Sequence, residues 1–84
     1  MILDEAIAAV EATLDSAGLR VDRKRPLEDE TSFLLVVLDT RAGRDNDAGA
    51  VANGPRLVDK QTGQVRRLTI PDALARADRM ARAV

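Results

Sequence analysis

Two stretches have residue types and spacing that could do chemistry: Glu28-Asp29-Glu30, and Asp45-Asn46-Asp47-Ala48-Gly49. Neighbouring carboxylates can divide acid and base roles when an apolar environment pushes their pKa values apart. Glu28–Glu30 follows a charge-dense, proline-containing run and offers no such environment. An Asp-x-Asp-x-Gly start suits a calcium loop. Counting twelve positions from Asp45, however, puts Ala50 at the turn-glycine position and Arg56 where a bidentate Glu is needed. Gly49 and Gly54 have the glycine spacing of a phosphate-binding loop, yet Pro55-Arg56 follows in place of Lys-Ser/Thr. Both readings fail on their own requirements.

The remaining composition narrows chemistry further. The chain has no His, Cys, Tyr or Trp. It therefore lacks the usual base near neutral pH, the thiol nucleophile, the Ser-His arrangement and the soft metal ligands. Its two serines, Ser16 and Ser32, have no recognisable base nearby in sequence. No enzyme activity, catalytic residue, cofactor or metal site is expected. A single aromatic residue, Phe33, leaves no stacking platform for single strands, so no nucleic-acid partner is expected. No apolar run approaches the ~20 residues that span a membrane. Asp4 and Glu5 stand where a signal peptide would carry positive charge. The expectation is a soluble, cytoplasmic protein, with no membrane partner, acting through its surface.

Charge is unevenly placed on that surface. Residues 1–32 carry eight acids and four bases, and residues 33–84 carry six acids and nine bases. The halves thus differ in sign, at −4 and +3, within a net charge of −1. Such asymmetry marks either a docking surface or mutual neutralisation within the fold.

The elements that must position these residues follow from periodicity. Leu3, Ile7, Val10, Leu14 and Ala17 recur at helical spacing over residues 3–17, with Asp4 and Glu5 in the first turn and Gly18 as a left-handed terminator. Leu19–Val21 reads as a short strand, and Asp22–Pro26 as an irregular edge. Phe33–Leu38 is apolar without alternation, which predicts a strand covered on both faces. Residues 41–54 read as a long loop. Leu57-Val58 and Val65 flank Asp59–Gln64, which predicts a hairpin pairing Val58 with Val65 and Arg56 with Arg67. In that hairpin Asp59 accepts from the turn and Gly63 takes a positive φ, while Lys60 and Gln61 are expected to be replaceable. Thr69 and Asp72 open a second helix over residues 70–83 with capping-box spacing. Its expected buried stripe is Ile70, Leu74, Ala77, Ala81 and Val84, with Asp72–Arg76 and Asp78–Arg82 pairs outside it.

The order of these elements, with Asn53-Gly54-Pro55, Val58-Asp59-Lys60 and Thr62-Gly63, resembles the immunity protein 35 family. These are small bacterial proteins of polymorphic toxin systems, with chaperone-like relatives. Those relatives tend to carry aromatics near the central strand, where this chain has Ser32-Phe33-Leu34-Leu35. The resemblance implies an immunity protein that neutralises a cognate toxin by direct binding, and it carries over no catalytic residue. The alternatives are a chaperone-like protein and a structural or regulatory homodimer.

The expected architecture is one α+β domain over residues 1–84: helix, antiparallel meander of three to four strands with a hairpin at 56–68, then helix, with both helices on one face. The expected core is Leu3, Ile7, Val10, Leu14, Phe33, Leu35, Val37, Val58, Val65, Leu74 and Ala77. The helix-free face of the sheet would then meet the toxin or a second copy. Arg56, Arg66, Arg67 and Arg79 are the candidate partner-binding residues, since arginine forks pack and hydrogen-bond well at interfaces.

Overall fold

A computed structural model describes residues 1–14, 18–39 and 55–83. The stretch expected to be a loop, residues 41–54, lies outside these residues, and with it most of the calcium-like and phosphate-loop-like runs. The fold is α+β. In chain order it comprises α1 (Leu3–Glu11), β1 (Leu19–Val21), β2 (Leu27–Glu28), β3 (Ser32–Asp39), β4 (Pro55–Asp59), β5 (Val65–Arg67), α2 (Ile70–Ala77) and β6 (Ala81–Arg82).

α1 begins as its sequence requires. Asp4 and Glu5 occupy the first turn, and Glu5 Oε1 accepts from the N–H of Ile2 at 3.0 Å, satisfying one otherwise unpaired donor. The helix is shorter than its apolar repeat predicts. After Glu11 the turn tightens, with the N–H of Thr13 reaching the Val10 carbonyl at 2.9 Å and the Thr13 hydroxyl reaching it at 2.7 Å. A threonine hydroxyl that bonds back along the chain competes with the regular helical ladder. Gly18 does take the left-handed conformation, at φ +91°.

Every strand pairing is antiparallel, in the order β5-β4-β3-β2-β6, with β1 also on β3. Among the described residues there are six strands rather than three or four. One of the extra strands, β2, shares an edge of β3 with β1, a strand that the sequence does predict. Leu19–Val21 pairs with Val37–Asp39, and Leu27–Glu28 pairs with Phe33–Leu34. Between them the Asp22–Pro26 segment leaves the ladder; Asp22 caps the bend by accepting from the N–H of Lys24 at 2.9 Å. The remaining extra strand, β6, pairs with β2 where the second helix was expected to continue.

The core forms where α1 meets the odd-numbered register of β3. Ala6, Ile7 and Val10 bury with Val21, Phe33, Leu35, Val37 and Val58, and Leu3, Leu14 and Val65 pack at the margin half-buried. Strand side chains alternate between faces, so Ser32, Leu34, Val36 and Leu38 project the other way. Arg76 of α2 reaches Ser32, which belongs to that second register. α1 packs on one register of β3, while the Arg76 side chain ties α2 to Ser32 of the other; the expected placement of both helices on one face is not confirmed.

α2 itself departs from its expected packing. Thr69 Oγ1 accepts from the N–H of Asp72 at 3.3 Å, and Pro71 sits in the first turn, so the N-terminal signal is read correctly. Its buried residue is Ala73; Leu74 is 64% exposed and Ile70 48% exposed. The expected burial of Leu74 is therefore corrected, and Ala77 is only half-buried. The helix also ends early, because Ala81–Arg82 is captured by β2 and the N–H of Ala83 bonds to the Pro26 carbonyl at 2.9 Å.

Candidate functional site

Two tight turns lie side by side at one end of the sheet, and a cleft opens beside them. The turn from β2 to β3 is organised by Asp29. Its Oδ1 accepts from the N–H groups of Thr31 (2.9 Å) and Ser32 (2.8 Å) and from the Thr31 hydroxyl (3.1 Å). Burial pushes the Asp29 carboxyl up, but those donors and the Arg76 guanidinium outweigh it and hold it below its usual value.

The turn from β4 to β5 has the register its sequence predicts: Val58 opposite Val65, Leu57 opposite Arg66 and Arg56 opposite Arg67. Asp59 Oδ1 accepts from the N–H groups of Gln61 (2.7 Å) and Thr62 (2.9 Å). These bonds, that of Thr62 first, lower the pKa of its carboxyl. The N–H of Gly63 closes onto the Asp59 carbonyl at 2.8 Å, and Gly63 has φ +76°. The N–H of Lys60 bonds to the Thr31 carbonyl at 2.8 Å and joins the two turns.

Lys60 is more than a replaceable turn residue. Its Nζ donates to Glu28 Oε1 at 2.9 Å and to the Asp29 carbonyl at 2.6 Å, and lies 4.7 Å from the centre of the Phe33 ring. The ammonium thus clamps the neighbouring turn and sits over the face of the Phe33 ring.

Arg76 completes the cleft from the α2 side. Its Nε and NH2 reach Asp29 Oδ2, both at 3.1 Å, and NH2 also approaches the hydroxyls of Thr31 (3.3 Å) and Ser32 (3.4 Å). The expected Asp72–Arg76 pair is replaced by this contact across the fold. Thr31, Ser32, Leu57, Asp59, Gln64, Arg66 and Arg76 line a space of about 240 Å³. Ser32 Oγ, although buried, faces a guanidinium and a hydroxyl rather than a base. The arrangement suits recognition of charged and polar groups.

The four candidate arginines do not converge. Arg66 lines the cleft, while the register sends Arg56 and Arg67 to the opposite face, facing each other. Burial first, and the Arg67 charge second, lower the pKa of Arg56. Arg79 lies exposed after α2. Asp29, Lys60 and Arg76 have other roles than the sequence suggests: there Asp29 is one of three neighbouring carboxylates, Lys60 a replaceable turn residue and Arg76 the partner of Asp72. The signal for Asp29 was present: Asp followed by Thr31-Ser32 is the pattern of a side-chain-capped turn. Arg76 had none, since its partner lies 47 residues away.

No family model, curated protein or solved structure matches this chain. Among the described residues no three acidic side chains are placed to hold a metal ion, and no helix is long and apolar enough to cross a membrane.

Proposed function

We propose that this chain is a non-catalytic binding protein, and that its partner is a bacterial toxin which it holds inactive in the cytoplasm of the producing cell. The observation that carries the binding role is α2. Ile70 and Leu74 lie one helical turn apart and point outward, although the helix has a small residue, Ala73, where it meets the fold. A helix that spends its two large apolar side chains on solvent is placed for a partner. The chemistry available to the chain supports the same reading, since it has neither imidazole nor thiol. The toxin as the partner rests on the family resemblance.

Co-expression with a candidate toxin domain from a neighbouring open reading frame tests this. The chain restores growth and co-purifies in a defined stoichiometry, whereas Leu74→Asp folds but restores neither. Growth unaffected by the chain, with no complex formed, overturns the immunity reading. Suppression of aggregation of unrelated unfolded proteins in its place points to the chaperone-like alternative.

A further inference from the structure

Among the described residues the outer edge of β5 is unpaired, and its backbone and charges define what it would accept. The N–H of Asp59 bonds to the Gln64 carbonyl at 2.9 Å, and the N–H of Leu68 bonds to the Pro55 carbonyl at 3.0 Å. An antiparallel ladder alternates, so Gln64, Arg66 and Leu68 turn their backbone groups toward β4. Val65 and Arg67 therefore turn theirs outward, and β5 ends the strand order. Arg66 and Arg67 are exposed on opposite faces of this edge. Among the described residues the Arg66 side chain has no hydrogen-bond or ion-pair partner. Asp59, the carboxylate that lines the cleft with it, is committed to the N–H groups of Gln61 and Thr62.

We infer that β5 is the docking edge for an extended acidic segment of a partner protein, which adds as an antiparallel strand. Main-chain bonds to Val65 and Arg67 would supply attachment, and the side chains would supply selectivity. One acid of the segment faces Arg66 over the cleft, and the next faces Arg67 on the other side. The residue opposite Val65 is apolar. A second copy of this chain is the poorer occupant. Antiparallel pairing of β5 with itself, centred on Arg66, sets Arg66 against Arg66, and like charges directly opposite are destabilising. The inference takes from the proposed function only that the partner is a protein. It uses a different surface from Ile70 and Leu74.

The test uses the full chain and a blocked peptide, Thr-Glu-Glu-Val-Thr, observed by amide NMR. The expected result is saturable shifts and slowed hydrogen exchange at the Val65 and Arg67 amides. The Arg66→Gln variant weakens binding about tenfold, the scale of one lost charge-assisted bond, and Arg25→Gln, exposed on the far side of the strand order, leaves it unchanged. A Gln-Gln version of the peptide binds no better than the Arg66→Gln variant binds the original. Methylating the peptide nitrogen that faces the β5 edge abolishes the exchange protection. Shifts confined to arginine side chains, or equal binding of the methylated peptide, overturn strand addition. Self-association through β5 in the absence of peptide overturns the choice of occupant. Because the peptide is not the toxin, failure here and failure of growth rescue are distinguishable.

Discussion

Gly63 and Lys60 occupy the same turn and illustrate what a local pattern does and does not reveal. Gly63 has φ +76°, a conformation that costs a β-branched residue on the order of 1 kcal/mol or more. Gly63→Val should lower the urea midpoint accordingly, with an unchanged slope. The nearest atom to an added Cβ is the flexible end of Met1 at 3.3 Å, so the backbone rather than crowding sets the loss. This requirement is legible because the left-handed position lies within a six-residue turn. Lys60 is the opposite case. Its contacts to Glu28, Asp29 and Phe33 span some thirty residues of chain and depend on two turns lying together. Lys60→Met keeps the stem and loses the charge, and should cost about 1 kcal/mol in the same denaturation series. A midpoint equal to the wild type would mean that the ammonium contributes nothing.

α2 is where hydrophobic periodicity misled. A stripe of Ile70, Leu74 and Ala77 identifies a helix, but not the direction in which the stripe points. Here Arg76 decides the orientation by anchoring to Asp29, and Ala73 faces the fold because its small side chain permits close approach. Leu74→Ser should therefore change stability by less than about 0.5 kcal/mol, as expected of an exposed position. A loss of 2 kcal/mol or more, the cost of a core truncation, would contradict this orientation. The anchor is sensitive to pH in a defined direction. The folded-state pKa of Asp29 lies below its unfolded value of about 3.9. Its contribution is thus complete above that unfolded value and is lost as pH falls through the folded one. Asp29→Asn should destabilise the protein by about 1 kcal/mol at neutral pH. The variant should also have a shallower acid limb in a pH series of thermal melts, converging with the wild type at low pH. α2 amides should exchange faster in Asp29→Asn while those of β3 keep most of their protection.

In the whole molecule, β3 is the member that everything else covers. Leu35 is fully buried at its centre, between β4 and the shared β1/β2 edge. Leu35→Ala should cost about 2–5 kcal/mol. In a domain of 84 residues that is most of the available margin. Circular dichroism should then show substantial unfolding at 37 °C, and retention of a sharp transition near the wild-type temperature would contradict the role given to Leu35. The sequence by itself determined the α+β class, both helix starts, the central strand, the hairpin register and its glycine. Each depends on residues within a turn or two of one another, or on a period that one face imposes. The sequence also excluded imidazole and thiol chemistry, since a missing residue type is missing in any fold. Tertiary structure alone decided that β1 and β2 share one edge of β3 and that β6 replaces the last turn of the helix. It also decided that Arg76 serves Asp29 rather than Asp72. These outcomes turn on competition between distant partners, in which a β2 edge with open backbone groups outbids a helix end, and a turn carboxylate outbids a helical neighbour. No local pattern encodes which partner will be within reach.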